Sequence, residues 1–409
     1  MDTTGCPENR FDVAQTREAL ERMGISFTKN PEEADTIILN TCGLTNDMEQ
    51  ISVNMLRKLR QSALPGSRIL VTGCLPKINP DSLQEFNDVT VIKGPLMESF
   101  PWDSGGDVDL KEVFSPCLHP QRILYTDQKF PRFDRGFFWN LDRLLYQRIG
   151  ICPPNRKRFF IKIATGCNQL CTYCAVRISR GELRSREVEW VVARFRQGLA
   201  AGYHEFALIG TNVSAYGQDI GTNLCQLLKL LIQHEGEYTI QLRNLEPEDV
   251  IRFLPEFLDV LRSGRISYME FPLQSGSDRI LKLMARTYHI DEYVEAMKEI
   301  KRVCPDILIR SQVMVAFPTE TEEEFKQTLK VAGELPFIFI EPFCFSSRPG
   351  TAASRLEGHI SRKVAKRRYK ELREHLMHSH LGYKLKTLAG MWIKSKLGVH
   401  PKPVVRENK

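Results

Sequence analysis

The stretch IKIATGCNQLCTYCAVRISRG, residues 161–181, sets an apolar run directly before three cysteines, Cys167, Cys171 and Cys174. The run reads as a strand, so the cysteines fall in the loop at its C-terminal end, where folds built on parallel strands assemble their sites. Working outward, the same alternation of β-rich and helical segments persists for six rounds. Strands are expected near 159–164, 205–210, 238–243, 268–272, 307–316 and 337–345, with helices between them. Six parallel strands with right-handed crossovers make either a wide open sheet or an incomplete (β/α) barrel, and periodicity does not choose between the two.

Upstream, residues 1–95 repeat the alternation on a smaller scale. TIILNT (36–41), RILVTG (68–73) and VTVIK (89–93) read as strands, with amphipathic helices over 12–23 (Val13, Leu20, Met23) and 45–62 (Met48, Ile51, Met55, Leu59). This predicts a small, doubly wound α/β domain. Between the two regions, PLMESFPWDSGGD and KFPRFDRGFFWN break the pattern, so 96–157 reads as an irregular connector with one helix near Leu141–Arg148. After residues 158–350, the chain continues through RPGTAASRLEG into a helix over 361–380 carrying Ala365, Tyr369, Leu372 and Leu376 on one face. No repeated short strands follow it.

Three thiolates spaced C-x3-C-x2-C can bind three irons of a [4Fe–4S] cube and leave the fourth iron open to a small ligand, which is a catalytic arrangement. A zinc knuckle or three buried thiols are the plainer readings. Zinc normally takes four ligands, and no fourth Cys or His lies within ten residues on either side.

With Tyr173 just before Cys174, the motif resembles the signature of the radical S-adenosylmethionine superfamily. The resemblance implies a [4Fe–4S] cluster on Cys167, Cys171 and Cys174 whose open iron chelates the amino and carboxylate groups of S-adenosylmethionine. One electron then breaks the sulfonium bond to give a 5′-deoxyadenosyl radical, and the second region becomes a partial (β/α)6 radical barrel. Tyr173 is assigned to the cofactor site on the same ground. The electron would come from a donor such as flavodoxin or ferredoxin.

Three more cysteines stand at matching points upstream: Cys6 in TTGCPEN, Cys42 in LNTCGLT and Cys74 in VTGCLPK. Ends of neighbouring parallel strands converge, so these three are placed to hold a second cluster; buried small thiols are the alternative. The six cysteines together resemble the methylthiotransferase family. GCPEN, ILNTCGLT, GCNQLCTYCAVRISRGELRSR, FPLQSGSDRILKLMAR, AFPTETEEEF and RPGTAASRL follow its order of motifs over residues 1 to about 375. The resemblance implies that Cys6, Cys42 and Cys74 carry an auxiliary [4Fe–4S] cluster presenting the sulfur to be inserted. Radical source and sulfur donor must reach one carbon from different directions, which favours two clusters over one.

Other candidate residues are Gly210, Thr211 and Asn212 at the second strand's end, placed to meet the cofactor's carboxylate or ribose or to form a turn. Gln274 and Ser275 end the fourth strand, and Arg310 and Gln312 alternate on the fifth. Arg177, Arg180, Arg184 and Arg186 grip phosphates or form a solvated run. The chain departs from the family in showing no strand before Cys6, no C-terminal β-barrel of the kind that grips RNA, and Ala316 and Thr319 where glycine is usual.

The chain has 409 residues and a formal charge of +7. Residues 359–409 hold 14 Lys and Arg against 3 Glu, an excess of +11, which suits a polyanion or a solvated helix face. No apolar run is long enough to cross a membrane and no secretory signal is legible, so a reducing cytoplasm is expected. Three functions stand: methylthiolation of an adenosine beside a transfer-RNA anticodon, the same chemistry on a peptide, protein side chain or small metabolite, and a noncatalytic two-cluster protein.

Overall fold

The computed structural model describes residues 2–3, 7–93, 122–124 and 158–396. They form two compact units. The first holds the described residues up to Leu124 together with Tyr173–Gly181 and Ser346–Ser354; the second holds the rest.

The first unit is a parallel sheet of β1 (Asp2–Thr3), β2 (Ser26–Thr28), β3 (Thr36–Thr41), β4 (Arg68–Gly73), β5 (Thr90–Val91) and β6 (Arg122–Leu124). The order is β2-β6-β3-β4-β5, and β1 also pairs with β3. Every residue of β3 is buried, as a strand covered on both faces requires. Helices α1 (Pro7–Arg22) and α2 (Asn46–Ser62) make the crossovers. Thr45 caps α2 by accepting from the Met48 amide. Val53, Leu56 and Leu59 of α2 pack on Ile37, Leu39, Ile69 and Val71. Of the four residues expected on that face, only Leu59 is fully buried, and the contact face is rotated toward Ser52, Val53 and Leu56.

Two expectations are corrected here. A strand does precede Cys6: Asp2 and Thr3 pair with Leu39 and Asn40. Two residues are too few to show a period of two in the sequence. The connector is also not wholly irregular, because Arg122–Leu124 inserts between β2 and β3. The helix expected near 141–148 lies outside the described residues.

Ser346–Ser354 is tied to the first unit through Arg348, which is 1% exposed. It hydrogen-bonds to Glu49 and to Asn46 Oδ1, while Ser346 Oγ accepts from the Asn46 amide at 2.9 Å. The RPGTAAS motif is therefore structural at its arginine.

The second unit is a six-stranded parallel sheet of β7 (Arg158–Lys162), β10 (Glu205–Ile209), β11 (Thr239–Leu242), β12 (Ile266–Glu270), β13 (Leu308–Val315) and β14 (Phe339–Cys344). Its strands pair in strict chain order, with β7 and β14 as the two edges. Such an order belongs to a partial (β/α)6 barrel, which resolves the choice that periodicity left open. One element has no counterpart in the expected pattern. Strands β8 (Ala164–Thr165) and β9 (Arg184–Ser185) pair antiparallel and bracket residues 166–183 at the base.

The terminal helix α12 runs over Arg362–Lys396, well past residue 380. Its Leu372 and Leu376 are buried, and its Arg368, 4% exposed, donates to Glu320 at 2.7 Å. Burial pushes the His380 imidazole down to about 4. Part of the basic excess is thus consumed internally, by Arg367 on Glu322 and by Arg368 on Glu320 and Glu322. Arg362, Lys363, Lys366 and Lys386 are exposed. No strand follows β14 among the described residues, and no helix among them is long and apolar enough to cross a membrane.

Candidate metal centre

Cys167, Cys171 and Cys174 lie in the loop after β8 and are half-buried. The loop is shaped by backbone contacts. Gly166 takes a positive φ of 70°, open to glycine at no steric cost. The amides of Gln169 and Val176 point at the sulfurs of Cys167 and Cys174, each at 3.4 Å. Thr172, inside the motif, donates through its amide to Met284 O (3.1 Å) and through Oγ1 to Leu283 O (2.7 Å).

Cys42 and Cys74, 3% and 4% exposed, each follow the last residue of a strand. Those strands are neighbours in register, Thr41 opposite Gly73, and the Cys74 amide donates to Thr41 O at 2.8 Å. The two cysteines therefore leave one sheet edge side by side. On the other flank of β3, β1 ends at Thr3, three residues before Cys6, which itself lies outside the described residues. At this edge Asn40 Oδ1 is buried without a hydrogen-bond partner.

The donor set is sulfur, which suits iron–sulfur clusters over a hard cation. Among the described residues no three His, Cys, Asp or Glu side chains gather tightly enough for a single metal ion. A cluster makes a different demand, since each cysteine binds its own iron across a cube. Half-buried thiols on an amide-lined loop, and two buried thiols at in-register strand ends, fit that demand.

The strand ends of the second unit hold the other candidates. Gly210 lies so close to Ala164 O that a β-carbon would stand 2.9 Å from it. Thr211 is half-buried. Asn212, fully buried, spends its amide on Asn168, Asp249, Ser214 Oγ and the Ala215 amide. Its direct contact is thus with Asn168 of the cysteine loop, which it braces. Gln274 takes φ 62° and pairs by its backbone with Gln312 and Met314, while its Oε1 is buried without a partner. Ser275 Oγ faces Thr328 Oγ1 at 3.4 Å. Arg310 bonds to Glu270 at 3.0 Å and to Glu341, and with Gln312 and Asn244 it lines one small pocket.

Several residues were missed from sequence. Glu270 accepts from Arg243, Arg310 and Tyr268 Oη at once, linking β11, β12 and β13. Glu248 has both oxygens buried without a hydrogen-bond partner, 3.5 Å from Arg286, and burial pushes its carboxyl up to about 7. Their only sequence signal was position, Glu270 inside an expected strand and Glu248 a few residues past another. Of the four loop arginines, Arg184 is exposed and Arg177 half-buried, whereas Arg186 stacks on Trp190 at 4.4 Å. Arg180 is 2% exposed and paired with Asp12 at 2.7 Å, so it neither grips phosphate nor faces solvent.

Ala316 and Thr319 both lie at positive φ, 61° and 67°, which explains why glycine would suit these positions. An L-residue in this conformation costs about 1–2 kcal/mol, partly offset by glycine's greater freedom when unfolded. Ala316→Gly is expected to stabilise the chain by about 0.5–1 kcal/mol, read as a higher urea midpoint at unchanged slope. Thr319→Gly would gain less, because Thr319 Oγ1 accepts from Arg279 at 3.2 Å.

Residues 161–332 match the Radical SAM superfamily model, and residues 1–94 match the uncharacterized protein family UPF0004. The chain is 30% identical over 374 residues to MtaB, a threonylcarbamoyladenosine tRNA methylthiotransferase of Aquifex aeolicus, covering 91% of this chain and 86% of that one. It is 29% identical over 372 residues to RimO, a ribosomal protein uS12 methylthiotransferase of Thermodesulfovibrio yellowstonii, covering 90% and 80%. A solved structure of the radical S-adenosylmethionine methyltransferase TsrM from Kitasatospora setae superposes with a TM-score of 0.53 at 13% identity, over 78% of this chain and 65% of that one, a likeness of fold alone. The identity to the Aquifex protein runs through both units rather than through the barrel alone, and the chain belongs to the radical S-adenosylmethionine methylthiotransferase family.

Proposed function

We propose that the chain inserts a methylthio group at an unactivated C–H bond of a transfer-RNA adenosine next to the anticodon, in the cytoplasm. The observation that carries the reading is the pairing of Cys42 and Cys74 at in-register ends of β3 and β4, in a chain that also bears the three-cysteine loop. A radical enzyme that only abstracts hydrogen has no use for a second set of cysteines at a sheet edge.

When bound, the clusters supply an electron to cleave S-adenosylmethionine and a sulfur for transfer. One S-adenosylmethionine leaves as methionine and 5′-deoxyadenosine, the latter carrying the hydrogen of the broken C–H bond, and a second would give its methyl group to the sulfur and leave as S-adenosylhomocysteine, so that one C–H bond is exchanged for one C–S bond and one electron returns to the auxiliary cluster. Cys167, Cys171 and Cys174 would hold the radical-forming cluster, and Cys6, Cys42 and Cys74 the auxiliary one. Gly210, Thr211 and Gln274, which follow strands, would meet S-adenosylmethionine together with Tyr173 of the cysteine loop and Arg310 of β13, while Asn212 orients the loop through Asn168. A one-electron donor such as flavodoxin or ferredoxin completes the partners.

Transfer RNA is favoured by the name of the Aquifex relative and by the exposed Arg362, Lys363 and Lys366 on the first turns of α12, which suit a phosphate backbone. The same chemistry on a protein side chain is the second reading, favoured by the RimO relative. Comparing modified nucleosides in total transfer RNA from a host with and without the gene separates them. One methylthiolated adenosine is expected to disappear with the gene, and an unchanged profile would sink the RNA reading.

A further inference from the structure

The helix that follows Cys174 is built into the first unit by buried charge. Helix α4 (Val176–Arg180) lies in the segment Tyr173–Gly181, which belongs to that unit. Arg180, at its C-terminal end, donates to Asp12 Oδ2 at 2.7 Å and to Asn9 Oδ1, with Glu8 at 3.7 Å. Arg180 and Asp12 are each 2% exposed, and Asn9 is fully buried.

Asn9 is the hub of this contact. It stands three residues after Cys6, its Nδ2 donates to Thr41 O beside Cys42 (3.3 Å), and its Oδ1 lies 3.8 Å from Cys74 Sγ. Its orientation is set from both ends, because a guanidinium only donates and a carbonyl only accepts. Two further contacts hold α4 to the same edge. Lys77 Nζ donates to Ser179 O at 3.0 Å, and Ala175, next to Cys174, packs against Cys74 and Ile78.

A buried ion pair is a poor source of stability, since apolar side chains of similar size serve as well or better. What it does supply is direction: Arg180 must meet Asp12 and Asn9 in one geometry or leave a charge stranded. We infer that Arg180 is a positioning residue for sulfur insertion, holding the Cys174 flank of the radical loop in register with the sheet edge that carries Cys42 and Cys74. It acts through Asn9 and touches neither substrate nor cofactor. A displacement of about 1 Å at this point is of the size that costs up to about a hundredfold in a step needing two reacting groups aligned.

The inference rests on the sulfur-insertion reading and predicts uncoupling. In abortive turnover, S-adenosylmethionine takes two electrons from the reductant and one proton from solvent, giving 5′-deoxyadenosine and methionine with no substrate changed. The reconstituted full chain is compared with Arg180→Lys and with the apolar variant Arg180→Met/Asp12→Leu, made together with Glu8→Gln so that no carboxylate is left facing a lost guanidinium. Both variants are expected to keep the iron content and release 5′-deoxyadenosine within about twofold of the unsubstituted chain, while the ratio of 5′-deoxyadenosine to inserted sulfur rises about tenfold or more. Equal loss of cleavage and insertion, or no change in either, would overturn it.

A second readout is independent of turnover. With Cys167, Cys171 and Cys174 replaced by Ala, the electron paramagnetic resonance spectrum of the remaining cluster should shift on Arg180→Lys, and an unchanged spectrum counts against the inference. If the unsubstituted chain released 5′-deoxyadenosine but never inserted sulfur, the reaction reading would fall, and this spectrum would still decide whether Arg180 orders the edge.

Discussion

Cys171→Ala is expected to reduce 5′-deoxyadenosine release from S-adenosylmethionine to background, while Cys42→Ala leaves release intact and stops sulfur insertion. Each change is expected to lower the iron of the reconstituted chain from about eight to about four per molecule. The asymmetry follows from where the two residues lie. Cys171 is a half-buried member of the loop after β8, whose middle is held by Thr172 on Leu283 and Met284. With two cysteines left, the cube loses the ligand set that keeps one iron open for the cofactor. Cys42 belongs to the other sheet, buried between Thr41 and Gly43, with its backbone tied to Ser52 Oγ at both N and O. That side chain can shrink without disturbing the radical loop. Cleavage that survives in neither variant would mean that the two sets of cysteines serve one function, and insertion that survives Cys42→Ala would remove the auxiliary cluster from the reaction.

What the sequence made legible, and what it hid, follows from the length scale of each signal. TIILNT and RILVTG are observed as Thr36–Thr41 and Arg68–Gly73, residue for residue, because a strand buried on both faces needs an unbroken apolar run with polar ends. Barrel strands β10 and β11 were found for the same reason, whereas the edge strands β7 and β14 are only partly buried. Elements of two or three residues, such as Asp2–Thr3, Arg122–Leu124 and the Ala164–Ser185 ribbon, carry no period and exist only through their partners.

The cysteines stood out because their spacing is chemistry in itself. Their supports did not. Asn9 and Asp12 look like ordinary polar positions on an amphipathic helix, and only the fold shows that they bury the guanidinium of a residue 171 and 168 positions away. Arg180 drew attention as one of four arginines between 177 and 186, read as a grip on phosphates or a solvated run, yet burial by acidic partners reversed its meaning. Charge in sequence states what a side chain can pair with, and the fold decides whether that pair is a surface or a clamp.

Gly73→Ala is expected to be the most damaging single methyl group in the first unit. Gly73 closes β4 at φ +96°, and a β-carbon there would sit 2.3 Å from Thr41 O, 2.5 Å from Asn40 Oδ1 and 2.6 Å from Thr41 N. Two of these atoms are backbone of the neighbouring strand, so no rotamer change relieves the clash. The strands must part where Thr41 pairs with Gly73 and where the Cys74 amide donates to Thr41 O. Positive φ alone costs an alanine about 1–2 kcal/mol, and a lost buried hydrogen bond adds about 1–3 kcal/mol. The sum, about 2–5 kcal/mol, is a large part of a domain's stability and is expected as a lowered urea midpoint in the first unit's transition. The consequence for function follows from the same geometry. Separating these strand ends spreads Cys42 from Cys74, so a folded fraction recovered at low temperature should bind about four irons rather than eight and still cleave S-adenosylmethionine. Full iron content and full insertion in that fraction would show that the sheet edge does not template the auxiliary site. Retained cleavage with lost insertion would reproduce the Cys42→Ala phenotype from a residue that bears no ligand.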